Sequence, residues 1–124
     1  MKVSVRLRQI DKMSGEEKIL ADTGGLLTGR RLLYPESKGI TQSITFGEDE
    51  IILERKADVT SRTELKKGGR GKSYIDSEYG RLEFETELSR YEINDTFRLI
   101  EYRIIANDET VLDQILIWEI GKIS

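Results

Sequence analysis

Hydrophobic and polar residues alternate along most of this chain with the two-residue period of a β-strand. Near the start, Val3, Val5 and Leu7 are separated by polar residues, and from residue 82 to 89 leucine, phenylalanine and threonine alternate with glutamate and serine. A two-residue period places successive side chains on opposite faces of a strand. Each such segment therefore predicts a strand that buries one face and exposes the other to water.

Short turns separate the predicted strands. Gly47 to Asp49, Asn94-Asp95 and Asn107 to Glu109 supply the residue types that favour tight turns. No helical stretch is long enough to connect two parallel strands, so neighbouring strands are predicted to pair antiparallel. The chain accommodates about eight or nine strands, a number at which a sheet can close on itself. We therefore predict one all-β domain over residues 1–124, an antiparallel up-and-down meander closed into a barrel, with a β-sandwich as the alternative.

The apolar residues that share one face of each predicted strand form the predicted core. The segment 97–106 is apolar on both faces, which is typical of a strand in the centre of a sheet. The residues expected to be mostly buried are Val5, Leu7, Ile44, Phe46, Leu53, Leu82, Phe84, Leu88, Leu99, Leu116 and Trp118.

The composition excludes several classes of function. The chain has no cysteine and no histidine, which removes thiol chemistry, disulfides, the usual general base near neutral pH and the commonest transition-metal ligands. We therefore predict no enzymatic activity, no metal site and no cofactor. A formal net charge of −3 argues against a surface built to bind nucleic acid. No apolar run has the length of a signal peptide or a membrane span, so we expect a cytoplasmic protein without a membrane partner.

Arg55 continues the apolar face of the predicted strand 50–56. On that face its guanidinium would point to the interior, where an unpaired charge is costly. A carboxylate of a neighbouring strand, or a bound anion, would then have to meet it, and Glu101 is one candidate. The alternative is a strand bulge that leaves Arg55 exposed.

The segment from Arg55 to Lys72 is basic on an acidic chain. It carries a net charge of +5, which leaves −8 for the remainder. Such a segment could hold a phosphate or a polyanion; the alternative is a pair of exposed strands whose cations keep the protein soluble. The cations of the predicted anion-binding hairpin are Arg62, Lys66, Lys67, Arg70 and Lys72.

Two further motifs lack a feature that their chemistry requires. The segment 68–73 ends like a phosphate-binding loop, but Lys66 stands where that motif needs glycine, and a strand rather than a helix follows. The glutamates at 83, 85 and 87 share one strand face, about 7 Å apart. Three carboxylates exposed to water stay ionised, so we interpret them as surface residues and not as an acid–base pair.

Several residues and short motifs from Ile52 to Ile120 follow one another in the order found in a known protein family. They are Ile52 to Ala57 with Arg55 before a short turn, Leu65 with Gly68, Tyr74, the Tyr79-Gly80 turn with Leu82-Glu83, Thr86, Tyr102 and the closing apolar strand to Ile120. In this order the chain resembles the YwiB-like family of small bacterial proteins. Two places depart from the family pattern: Ala57 stands in place of a glycine, and Asp76-Ser77-Glu78 in place of Thr-Pro. The resemblance implies a calycin-like barrel, related in architecture to lipocalins and fatty-acid-binding proteins, and it implies no activity.

Two functions are compatible with these observations. The first is a binding module that holds a small apolar or anionic molecule inside the barrel. The second is an interaction protein that uses the basic hairpin 62–72 to contact an acidic partner or RNA. The volume left free in the barrel discriminates between them, because a completely filled interior has no ligand site. The candidate ligand-binding residues of the first hypothesis are Arg55, Glu101, Tyr74 and Tyr102.

Overall fold

The computed structural model describes residues 1–37 and 39–123, and these residues form ten β-strands. In chain order the strands are β1 (Lys2–Asp11), β2 (Glu17–Thr28), β3 (Arg31–Ser37), β4 (Ile40–Phe46), β5 (Glu50–Lys56), β6 (Thr60–Lys66), β7 (Arg70–Ser77), β8 (Gly80–Ile93), β9 (Phe97–Ala106) and β10 (Glu109–Lys122). The count is ten rather than eight or nine, because the chain turns at Gly29, with a φ of 59°, and so divides β2 from β3. No helix in the two ranges given above is long and apolar enough to cross a membrane.

The strands form one closed antiparallel barrel. Each strand pairs with its neighbours in the chain, and β1 closes the barrel by pairing with β10. The closing register aligns Val5 with Ile120 and Leu7 with Trp118, so that the side chains of both strands point to the same interior. The predicted up-and-down barrel is therefore confirmed, and the sandwich alternative is wrong.

Trp118 and Phe46 lie against each other inside the barrel. Their ring centroids are 5.3 Å apart in an edge-to-face arrangement, and both side chains are almost completely buried. Such aromatic pairs combine a large buried area with a favourable quadrupole geometry. Both rings belong to the buried cluster, together with Val5, Leu7, Ile44 and Leu116 of the predicted core. Leu53 and Leu88 pack against this cluster.

Three predicted core residues lie outside this cluster: Leu82, Phe84 and Leu99. Leu82 is 60% exposed, and Phe84 is only half-buried. The pairing of β8 with β9 stops at Glu85 opposite Ile105, so residues 80–84 pair only with β7. The β7–β8 hairpin therefore extends past the barrel wall, and the apolar face of β8 is left without a covering strand there.

The strand β9 is buried on both faces, as its sequence predicted. Ile100 and Tyr102 point inward and belong to the core cluster. Leu99 pairs with Ile117 and points outward, although it is buried as predicted. The inward face of β9 is therefore the face that carries Tyr102, not the face that carries Leu99 and Glu101.

The barrel has two ends, which we name after one residue at each. The Arg55 end carries the turns that follow β1, β3, β5, β7 and β9, and the Lys67 end carries the turns that follow β2, β4, β6 and β8. A meander places alternate turns at opposite ends. The Trp118–Phe46 pair fills the interior between the two ends.

Candidate functional site

A cavity of about 190 Å³ lies inside the barrel at the Arg55 end. Trp118, Leu116, Leu7 and Leu53 form its apolar wall. The polar residues that line it are Tyr34, Gln42, Glu54, Arg55, Ser61, Thr63, Tyr102 and Gln114. The Glu54 carboxylate forms an ion pair with Arg62 at 3.4 Å. So many polar side chains inside a barrel need partners, because a buried polar group without a hydrogen bond is costly.

Arg55 stands at the mouth of this cavity on the inward face of β5. It is aligned with Gln42 on one side and Ser61 on the other. Its Nε donates to Oε2 of Glu36 at 2.8 Å, and the amide of Gln42 donates to the same oxygen at 3.1 Å. Within the described residues, no acceptor meets the two terminal amino groups of the guanidinium. Arg55 therefore keeps a planar pair of donors at the mouth, in addition to its ion pair with Glu36.

Tyr34 is the first of two buried phenols that line the cavity. Its hydroxyl oxygen accepts a hydrogen bond of 3.0 Å from the indole Nε1–H of Trp118. Burial raises the pKa of Tyr34 to about 12, so the phenol is neutral at physiological pH and keeps its proton. Because the oxygen already accepts the indole hydrogen, the phenolic hydrogen is available to donate, and residues 1–37 and 39–123 offer it no acceptor.

Tyr102 is the second buried phenol. Its hydroxyl oxygen accepts a hydrogen bond of 2.7 Å from the side-chain amide of Gln114, whose own oxygen accepts from the amide of Gln9. Burial raises the pKa of Tyr102 to about 12, so it also stays protonated. The described chain provides no acceptor for this phenolic hydrogen either. Three side chains that line the cavity thus have hydrogen-bond donors without an acceptor among the described residues: Tyr34, Tyr102 and Arg55.

The sequence predicted only part of this arrangement. Arg55 and Tyr102 line the cavity together. Glu101 does not meet Arg55, because it points outward from β9 and forms an ion pair with Lys12. Tyr74 also points outward, where the Arg81 guanidinium lies 5.0 Å from its ring centroid. The carboxylate that pairs with Arg55 is Glu36, and the expected pairing with Glu101 is wrong.

Sequence reasoning missed Tyr34, Glu36, Gln42 and Gln114. A signal was present for the two glutamines, since each interrupts an apolar face: Gln42 precedes Ile44 and Phe46, and Gln114 precedes Leu116 and Trp118. A polar residue on an otherwise inward face indicates a buried hydrogen bond or a cavity. For Tyr34 and Glu36 the sequence carried no comparable signal.

The cations of the basic hairpin are mostly held by carboxylates of neighbouring strands. All five side chains are exposed, and three of them, Arg62, Arg70 and Lys72, form ion pairs. Lys72 Nζ lies 2.8 Å from a carboxylate oxygen of Glu83, and Arg70 pairs with Glu85. The ion pairs of Arg62 join it to Glu54 at 3.4 Å and Glu64 at 3.0 Å. The alternating glutamates of β8 thus balance the charges of Arg70 and Lys72.

Acidic side chains do not form a metal site in the part of the chain that the structure describes. No group of three or more potential ligands converges within residues 1–37 and 39–123. The carboxylates discussed above are each engaged with a cation, as Glu36 is with Arg55.

Comparisons with known proteins identify a family and a fold. A family model described as a domain of unknown function, DUF1934, matches residues 3–117. Among solved structures, the crystal structure of the ywiB protein from Bacillus subtilis matches with a TM-score of 0.64, covering 98% of this chain and 92% of that chain at 11% sequence identity. A search of the curated proteins finds no match. The resemblance to YwiB-like proteins is confirmed, and at this identity the structural match shows the fold alone.

Proposed function

We propose that this chain, which belongs to the DUF1934 family of domains of unknown function, is a binding module for a small carboxylate. One observation carries the proposal: two buried tyrosines with unused hydroxyl hydrogens and an arginine with unused amino groups line the same cavity. These three unused donors are complementary to a ligand that presents acceptors, and a carboxylate presents two oxygens with about four acceptor positions.

The size of the cavity limits the ligand. A volume of about 190 Å³ corresponds to roughly six water molecules at ~30 Å³ each. Pockets for drug-sized ligands have about 300–1,000 Å³. A long acyl chain would need the space that Trp118 and Phe46 occupy. Size and chemistry therefore favour the anionic ligand over the apolar one.

The charge at the mouth determines how the ligand is held. Glu36 occupies the Nε edge of Arg55 and balances its charge, while the terminal amino groups form the fork that suits a carboxylate. Affinity in this arrangement comes from several hydrogen bonds more than from net charge. Binding should consequently depend only weakly on salt, in contrast to binding by exposed cations.

Isothermal titration calorimetry with acetate, propionate and benzoate tests the proposal, with acetamide, propionamide and benzamide as neutral controls of matched size. Arg55→Gln should weaken carboxylate binding about tenfold or more, because a hydrogen bond to a charged group contributes ~1.5–3 kcal/mol. Glu36→Gln should strengthen binding, since it removes a like charge beside the ligand. Arg81→Gln is the matched control, because Arg81 lies outside the barrel against Asp76. Equal affinity for acids and amides, or no effect of Arg55→Gln, would contradict the proposal.

The alternative function, contact of the hairpin 62–72 with an acidic partner or RNA, has less support. The ion pairs of Arg62, Arg70 and Lys72 would have to open before a partner's phosphates could replace the glutamates. Heparin retention at about 50 and 200 mM salt tests this alternative. We expect the triple variant Lys66→Ala, Arg70→Ala, Lys72→Ala to elute from heparin at the same salt concentration as the wild type. Earlier elution of the variant would support polyanion binding by the hairpin.

A further inference from the structure

A second cavity, of about 350 Å³, opens at the Lys67 end of the barrel. It is separated from the cavity at the Arg55 end by the Trp118–Phe46 pair. Three cationic side chains line it, Arg30, Lys67 and Arg98, together with the rings of Phe46 and Tyr91. These residues come from the β2–β3 turn, β4, the β6–β7 turn, β8 and β9, so only the closed barrel brings them together.

Two of the three cations are held over aromatic rings. The ammonium of Lys67 lies 5.8 Å from the ring centroid of Tyr91, and the guanidinium carbon of Arg98 lies 5.8 Å from the ring centroid of Phe46. Cation–π contacts of this length stabilise a cation at a fixed position. Arg98 is fixed further because its Nη1 donates to the carbonyl oxygen of Asn94 at 2.6 Å. Lys67 and Arg98 are thus held in place before any ligand binds.

The charge of this cavity is not balanced by its own lining. Glu48 is the single carboxylate among the described lining residues, and its nearest approach to Arg30 is 3.7 Å, with both side chains well exposed. The lining therefore carries a net charge of +2. Tyr91 adds no negative charge, because its hydroxyl donates to the carbonyl oxygen of Gly47 at 2.9 Å and burial raises its pKa to about 12.

We propose that this second cavity binds the phosphate group of a small phosphorylated molecule. The guanidinium of arginine matches the geometry of phosphate oxygens, and lysine adds a point charge. A phosphate monoester carries about −1.5 to −2 charges at pH 7, which balances the net charge of the lining. The volume exceeds that of a phosphate group and leaves room for the ester substituent. This site is independent of the carboxylate site, because it lies at the opposite end and shares no lining residue with it.

Isothermal titration calorimetry with glycerol phosphate, inorganic phosphate and glycerol tests this proposal on the whole chain. We expect saturable binding of glycerol phosphate, none of glycerol, and weaker binding as salt is raised. Lys67→Gln and Arg30→Gln should each weaken binding about tenfold or more, the loss expected for a charge-assisted hydrogen bond. Lys18→Gln is the matched control, since Lys18 is an exposed lysine at the other end of the barrel. Thermal unfolding of each variant checks that the fold is retained.

The outcomes separate the ligand sources and can overturn the proposal. Tighter binding of glycerol phosphate than of inorganic phosphate supports an ester as the ligand, and equal affinity supports free phosphate at the same site. The absence of saturable binding up to about 10 mM of either anion, a concentration that would reveal even millimolar dissociation constants, would overturn the proposal. Binding that Lys67→Gln and Arg30→Gln leave unchanged would overturn it as well.

Discussion

Trp118 donates its indole hydrogen to the hydroxyl oxygen of Tyr34, although the two residues are 84 positions apart in the chain. The bond joins β10 to β3 across the interior of the barrel and not along a strand pair. It orients both side chains on the wall of the cavity at the Arg55 end. The same contact thus belongs to the core and to the proposed carboxylate site.

The first prediction concerns this contact. Tyr34→Phe keeps the ring but leaves the buried N–H of Trp118 without an acceptor, which should lower the free energy of unfolding by about 1–3 kcal/mol. Urea unfolding measures the loss. Tyr79→Phe is the matched control, because Tyr79 is 91% exposed and its change should stay within about 0.5 kcal/mol. Equal unfolding midpoints for the two variants would show that the contact contributes nothing.

The second prediction compares two leucines. Leu65 is completely buried in the core, so Leu65→Ala should cost about 2–5 kcal/mol of stability. Leu82 is 60% exposed on the extended hairpin, so Leu82→Ala should cost much less, below about 1 kcal/mol. Thermal or urea unfolding of both variants checks the pair. A large loss for Leu82→Ala would mean that the β7–β8 hairpin is covered by the barrel.

Alternation predicted the strands well, but it misplaced Leu82 and Phe84, whose face of β8 is left without a covering strand, and it could not orient β9. The segment 97–106 is apolar on both faces, so its sequence could not show whether Leu99 and Glu101 or Ile100 and Tyr102 point inward. The strand pairing of the closed barrel decides the question in favour of Tyr102. The misplaced Glu101 follows directly from this ambiguity.

The candidate cavity was harder to predict because it depends on contacts between distant segments. The inward direction of Arg55 followed from the period of β5, but its partner Glu36 comes from β3. The Tyr34–Trp118 bond likewise joins strands that are not neighbours. Periodicity assigns a residue to a face, and only the closed barrel determines which faces meet.

The third prediction concerns Gly71, a glycine of the basic segment that has no room for a side chain. A Cβ on Gly71 would meet the carbonyl oxygen of Glu64 and lie 2.8 Å from Oγ1 of Thr86. That hydroxyl donates to the same carbonyl at 2.6 Å. Gly71→Ala should therefore cost roughly 1–3 kcal/mol, as overpacking does. Gly69→Ala is the matched control, because its Cβ would meet open space. Equal stability of the two variants would contradict this account.

The fourth prediction concerns alkaline pH. The pKa of Tyr102 is about 12 in the folded protein because of burial, against an ordinary value of 10.0. The unfolded chain therefore loses this proton at lower pH than the folded protein. The contribution of the protonated Tyr102 to the free energy of unfolding is complete below about pH 10 and is lost as pH rises towards 12. The loss amounts to ~1.4 kcal/mol per pH unit at most. Stability measured from about pH 9 to 12 should fall less steeply in Tyr102→Phe than in the wild type. Parallel curves would contradict the assignment of the burial effect to Tyr102.

The most direct test of the carboxylate site uses Trp118, the one tryptophan of the chain, as its reporter. Because Trp118 lines the cavity, a bound ligand should change its fluorescence. Titration with acetate should give a saturable change that Tyr102→Phe weakens about tenfold, whereas acetamide and chloride at equal concentrations should give none. A response to acetate that chloride reproduces, or that Tyr102→Phe leaves unaltered, would contradict the proposal that the barrel binds a small carboxylate.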